Sequence, residues 1–165
     1  MEDCNNTHSL NETWTLYAHL PHDTDWGINS YKKILTFETI EEAVVVTESI
    51  PHVMIKNCML FLMRGNIKPI WEDPSNIRGG SFSYKVSNKV VPDTWRTLTY
   101  AVVGETLGNT IAVQSLINGI TISPKKNFCV IKVWMATCNN LNPNVIKEIT
   151  PELTSYGCLF KKHNT

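Results

Sequence analysis

Several broad classes leave no mark on this chain. Its opening, MEDCNNTHSLNETW, carries acids and amides and no basic stretch running into an apolar one, so it does not read as a secretory leader. No run approaches the roughly 20 apolar residues that span a bilayer, so no membrane partner is expected. Cysteine is sparse and odd in number. Cys4, Cys58, Cys129, Cys138 and Cys158 show no C-x-x-C spacing, which argues for free thiols in a reducing, cytoplasmic compartment over a disulfide frame or a zinc site. The sequons at Asn5 and Asn11 carry no weight in that setting. Lys+Arg and Asp+Glu balance at 15 each, so the chain lacks the cationic surface needed to coat duplex DNA or anionic lipid, while a compact site for one nucleotide remains open. There are no internal repeats and no low-complexity tract. Gly-rich phosphate loops, paired zinc ligands and acid clusters are absent too, and His8, His19, His22, His52 and His163 are scattered and read as surface or loop residues. Neither an enzyme nor a bound cofactor or metal is expected.

What is present suits one domain with one sizeable core in 165 residues. Residues 1–12 read as a polar tail whose end can pack on a domain spanning 13–165. TWTLYAHL alternates Trp14, Leu16 and Ala18 against Thr15 and Tyr17 as a half-buried strand, and KKILTF is a second strand ending at Phe37. TIEEAVVVTESI pits a helix start at Thr39, Glu41 and Glu42 against three successive valines that favour a strand, and is read as helix. NCMLFLMRG and GSFSYKVSNKV are strands, and VPDTWRTLTYAVVGE is a helix from Pro92 to Gly104. NGITIS and FCVIKVWMAT are strands joined by PKKN, NPNVIKEI is a short helix, and SYGCLF is a last strand. The expected fold is α+β, a single curved, mainly antiparallel sheet backed by about three helices. Trp14 and Trp95 belong to its core by periodicity.

One span resists that bland accounting. IKPIWEDPSNIRGGSF, residues 67–82, sets Trp71 and Glu72 beside Pro74, Gly79 and Gly80, so a large aromatic and a carboxylate sit together on a loop. Here the residues resemble a family. W-x-L-Y at Trp14 to Tyr17, Trp26, TFET before the first helix, WED at Trp71 to Asp73, N-x-R-G-G at Asn76 to Gly80 and V-G-E at Val103 to Glu105 are similar, in order and spacing, to eukaryotic translation initiation factor 4E, the messenger-RNA cap-binding protein. The resemblance covers roughly residues 8–160.

That resemblance implies a cap-binding cleft on the concave face of the sheet. Trp26 and Trp71 would sandwich the flat, cationic 7-methylguanine ring at faces roughly 7 Å apart, twice a van der Waals contact. Stacking of this kind contributes about 1–3 kcal/mol per base, with about 1–2 more from cation–π attraction. Glu72 would accept two hydrogen bonds from the guanine edge, Trp134 would lie against the methyl group, and Lys125 with Lys126 would meet the phosphates. The glycine pair would let the loop double back. The implied ligand is capped mRNA.

Two departures qualify it. Ser81 stands where many members have arginine, and Val130 where they have a phosphate-binding lysine. On the convex face, the positions that receive a Tyr-x-x-x-x-Leu-apolar peptide read His8 and Leu10, Val44, and Arg96 with Thr97, so the anchoring tryptophan is gone and a charge has entered an apolar dock. The implied partner is a divergent scaffold of the initiation factor 4G type or a repressor peptide, on a chain monomeric by itself. The alternative is a repressor that occupies the cap without recruiting the scaffold. Richness in Asn, Ile and Lys fits an AT-biased genome of viral or parasite kind.

Overall fold

The computed structural model describes residues 6–164. Seven antiparallel strands form one curved sheet in the order β2-β1-β3-β5-β6-β4-β7. They are β1 (Ser9–His19), β2 (Tyr31–Thr39), β3 (Met59–Arg64), β4 (Gly80–Ser87), β5 (Ile117–Pro124), β6 (Phe128–Met135) and β7 (Leu159–Lys162). Four helices accompany them: α1 (Ile40–Ser49), α2 (His52–Asn57), α3 (Val91–Val103) and α4 (Ile111–Ser115).

Alternation along the strands separates two apolar layers. Trp14, Leu16, Leu60, Leu62, Phe82, Ile120, Ile131 and Val133 face the helices and join Trp95, Leu98 and Val102 of α3 in the main core. On the opposite, concave face Tyr17, Phe61, Met63 and Trp134 form a smaller cluster edged by Tyr31, Met59 and Ile67. Both tryptophans assigned to the core by periodicity are buried there, Trp14 completely.

The contest in TIEEAVVVTESI goes to the helix through its cap. The Thr39 hydroxyl accepts from the Glu42 backbone N–H, satisfying one of the unpaired first-turn donors, and donates to the Glu42 carboxylate. Four expectations change. NPNVIKEI forms only a single 3-10 turn at Pro143–Val145, because the backbone from Val145 onward is claimed by residues 107–109: the Asn109 N–H donates to the Val145 carbonyl and the Lys147 N–H to the Leu107 carbonyl. The last strand starts at Leu159, since Gly157 adopts a positive φ of 78° within a turn. Helices α2 and α4 appear where none was expected; at six and five residues they are too short to show periodicity. The sheet also reaches into the expected tail, where Ser9 pairs with Thr39. Cys4 and Asn5 lie outside the described residues.

Candidate functional site

The loop between β3 and β4 is built around Asn76, which is fully buried. Its side-chain N–H groups donate to the carbonyls of Lys68 and Ile70, and its oxygen accepts from Asn118 Nδ2. Asp73 closes the other side by accepting from the backbone N–H groups of Lys68 and Ser75. The glycines that follow are required by contact, not by backbone angle. A Cβ on Gly79 would stand 1.7 Å from the Met135 carbonyl oxygen, and one on Gly80 2.4 Å from that of Lys161. The loop is thus pressed onto β6 and β7 at one end and locked by Asn76 in the middle. Trp71 and Glu72 project from it, with Trp71 43% exposed.

Trp26 sits on the loop after β1 and is 56% exposed, unusual for so large an apolar side chain. Two Asx turns, at Asp23 and Asp25, shape that loop. His19 holds the indole from behind: the rings stack with centroids 3.9 Å apart, while His19 Nε2 donates to the Asp25 carbonyl at 2.8 Å. His19 is 2% exposed, so this histidine, expected at the surface or in a loop, is a buried support. Tyr31 meets His19 edge to face, and burial followed by the Glu72 charge pushes its hydroxyl above the usual range. His19 thus links Trp26 on one loop to Tyr31 at the start of β2. Glu72 forms no ion pair among the described residues.

Trp134 stands between two cavities on the open face and is anchored by donation from Nε1 to Thr121 Oγ1. One cavity, about 210 Å³, contains Lys125, Ser123, Val130 and Lys132. The other, about 250 Å³, is lined by Trp71, Ser81, Lys132, Lys161 and His163 among others. Trp26 borders a third hollow with His19 and Pro124 and shares none of these cavities with Trp71. Lys126 is exposed in the turn and lines none of the three.

Two groups were not anticipated. Lys132 lies two residues before Trp134, so strand alternation alone places both on the concave face; that spacing is a signal in the sequence. Burial pushes its ammonium below the usual lysine range, and Lys161 and Lys125 push the same way. His163 packs on the Trp134 ring at 4.7 Å, bonded through Nδ1 to the Asn76 carbonyl and through Nε2 to Ser81 Oγ. Nothing in the local sequence marks it, because its partners are 82 and 87 residues away.

On the convex face His8 is tied to Glu41 of α1 through both its backbone N–H and its ring. Leu10 packs against the core, while Val44 is 42% exposed and Thr97 is exposed on α3. Arg96 does not present a bare charge. Its Nε donates to Glu48 of α1 at 2.7 Å, and the Tyr100 hydroxyl donates to the same carboxylate oxygen.

The fold is a curved antiparallel sheet with helices on one face and an aromatic, lysine-bearing cluster on the other. Residues 9–164 match the family model described as Eukaryotic initiation factor 4E, and the chain belongs to that family. It is 30% identical over 141 residues to the Eukaryotic translation initiation factor 4E-2 of Schizosaccharomyces pombe, an alignment covering 81% of this chain and 56% of that one. It is 33% identical over 134 residues to the Eukaryotic translation initiation factor 4E of Eremothecium gossypii, covering 77% of this chain and 62% of the relative. The chain thus spans well under the full length of either relative. A viral relative, the Eukaryotic translation initiation factor 4E homolog of Acanthamoeba polyphaga mimivirus, is 44% identical over 62 residues, or 38% of this chain and 23% of that one. Among solved structures, Schistosome eIF4E complexed with m7GpppG and 4E-BP superimposes with a TM-score of 0.73 at 25% identity, covering 82% of this chain and 75% of that one.

Proposed function

We propose that this chain binds the 7-methylguanosine cap of messenger RNA and serves translation initiation in the cytoplasm as a monomer joined by one protein partner. The observation that carries the reading is a pair of exposed tryptophans, Trp26 and Trp71, on two loops at the rim of one concave face, with the Glu72 carboxylate, which forms no ion pair among the described residues, beside the second. Water-exposed indoles held in place by a buried histidine and a buried asparagine are pre-organised for a flat ligand, which lowers the ordering cost of binding.

The chemistry follows from the ligand. A methylated guanine is cationic, so it gains from indole faces above and below and from a carboxylate along its edge. Trp134 offers a wall for the methyl group, and Lys125 meets the phosphates from the turn between β5 and β6. The Schistosome relative is complexed with m7GpppG and with 4E-BP, which supports both the ligand and a peptide partner. In this chain the partner is a scaffold of the initiation factor 4G type, or a repressor peptide, that meets the convex face around His8, Leu10, Val44, Arg96 and Thr97.

A second reading, a repressor that holds the cap without recruiting the usual scaffold, is favoured by one feature. The Arg96–Glu48–Tyr100 cluster covers with polar groups a convex position where an apolar peptide would seat.

Titration with 7-methyl-GTP and with GTP, followed by tryptophan fluorescence, tests the cap reading. Strong saturable quenching by the methylated ligand at about tenfold or better preference, about 1.4 kcal/mol, is expected. Equal response to both nucleotides would reduce the aromatic pair to architecture. Inhibition as opposed to rescue of a cap-dependent translation extract distinguishes the repressor.

A further inference from the structure

The cavity among β4, β6 and β7 shares Trp71 and Trp134 with the cap reading, but that reading leaves its three lysines unused. Register puts its groups in two adjacent rows on the concave face: Trp134 pairs with Ser81, which pairs with Lys161, and Lys132 pairs with Ser83. Lys132, Lys161 and Lys162 all reach the cavity, and none forms an ion pair with a described residue. Three ammonium groups around a tryptophan-walled hollow of about 250 Å³ give it a positive potential that favours an anion.

The hydrogen-bond directions at its base agree. The Asn76 carbonyl can only accept, so His163 Nδ1 carries the proton and donates to it at 2.8 Å. In the neutral ring Nε2 is then bare and accepts from the Ser81 hydroxyl at 2.7 Å. The Ser81 proton is consumed there, and the charged donors facing the cavity are ammonium groups. Such a set suits phosphate oxygens and repels cations.

Two cavities thus flank the Lys132–Trp134 pair. Lys125 belongs to one and Lys161 to the other. The step from β5 to β7 crosses three strand spacings, roughly 14 Å at about 4.8 Å each, which suits two successive phosphate-bearing parts of one chain better than a single group.

We propose that the cavity among β4, β6 and β7 is a phosphate subsite for the RNA that follows the cap, holding a phosphodiester of its first nucleotides between Lys161 and Lys132. The identity of the ligand rests on the cap reading; the anion chemistry of the cavity does not. It makes the protein a reader of capped RNA over the isolated cap nucleotide.

The test compares 7-methyl-GTP, the capped dinucleotide m7GpppApG and the uncapped pppApG on the wild-type chain, Lys161→Ser and Lys125→Ser, by fluorescence titration across salt concentrations. Lys161 is exposed on an edge strand, so its replacement leaves the fold intact. Wild type should bind m7GpppApG about fivefold or more tighter than 7-methyl-GTP, with a log–log salt slope steeper by about 0.7 for the added phosphate contact. Lys161→Ser should erase that gain and leave 7-methyl-GTP binding unchanged, whereas Lys125→Ser should weaken both capped ligands alike. Equal wild-type affinities, or a Lys161→Ser loss of the same size for both capped ligands, would overturn the subsite. If wild type fails to prefer 7-methyl-GTP over GTP, the cap reading falls by itself. The subsite then survives only if pppApG binding drops with Lys161→Ser, and is overturned if it does not.

Discussion

The imidazole of His19 lies flat against the indole of Trp26, with ring centroids 3.9 Å apart and planes 5° apart. A buried side chain thereby fixes one face of an exposed one and leaves the other face free for a ligand. Aromatic pairs of this geometry contribute about 0.5–1.5 kcal/mol, and the Asp25 carbonyl adds a bond that orients the histidine. His19→Ala should therefore raise the Kd for 7-methyl-GTP by up to about tenfold, and His19→Phe, which keeps the stack, should recover most of the loss. Titration of both variants decides it; an unchanged His19→Ala would detach Trp26 from ring binding.

Glu72 separates edge recognition from stacking. Its exposed position means that truncation costs little stability. Removing an acceptor of two charge-assisted hydrogen bonds should cost about 3 kcal/mol or more, a Kd rise of over about a hundredfold. Glu72→Gln keeps one acceptor and should fall between. Calorimetric titration with an unaltered thermal midpoint is the expected pair of results, and a Glu72→Ala variant that binds like wild type would remove the carboxylate from the site.

Much of the fold was legible because its strands alternate cleanly: Trp14, Leu16 and Ala18 point to the helices, and Thr15, Tyr17 and His19 to the open face. The loop tryptophans and Glu72 were marked by the family resemblance of WED and its neighbours, not by local spacing alone. The supports beneath them were not so marked. His19 and Trp26 meet across a loop, His163 reaches Asn76 and Ser81 from the far edge of the sheet, and Lys132 becomes one of a cluster only when β7 brings up Lys161. Those are products of pairing order, which period and propensity do not encode. NPNVIKEI fails as a helix for a similar reason, its backbone being recruited by a distant segment.

Asn76 should behave as a keystone of the loop. Replacing it with Ala removes the donors to the part-buried carbonyls of Lys68 and Ile70 and leaves the buried Asn118 amide with only the Ser75 carbonyl. At about 1–3 kcal/mol for each buried group left unsatisfied, partly relieved by water, a loss of about 2–4 kcal/mol is expected in urea unfolding. Because the same loop carries Trp71, ligand affinity should fall with it. A stable Asn76→Ala protein would place the loop's rigidity elsewhere.

His163 gives the β7 edge a pH dependence. Burial holds its pKa below the ordinary 6.5, with the Lys132 charge acting the same way against the Asn76 bond. Between that lowered value and 6.5 the unfolded chain binds more protons than the folded one, so stability falls as pH drops through this window and levels off below it. Protonation also turns Nε2 into a donor and breaks its acceptance from Ser81. Imidazole resonances followed by NMR should titrate with a midpoint under 6.5 for His163, and the protection factors of β7 amides, taken relative to the intrinsic rate at each pH, should fall on acidification. A midpoint above 6.5 would contradict the packing described.

Arg96 and Glu48 bear on partner choice. The pair joins α3 to α1, and the Glu48 carboxylate is held below its usual range by hydrogen bonds from Tyr100 and then Arg96. An apolar peptide side chain seated there would have to strip water from the cluster or break it, and Val44 offers only a small contact in return. A peptide bearing Tyr-x-x-x-x-Leu-apolar should therefore bind the wild-type chain weakly. Combining Val44→Trp with Arg96→Leu should tighten it about tenfold or more by calorimetry, while Arg96→Lys, which keeps the charge, should not. If wild type already binds that peptide as tightly as the double variant does, the polar cluster exerts no selection, and the partner is an ordinary one.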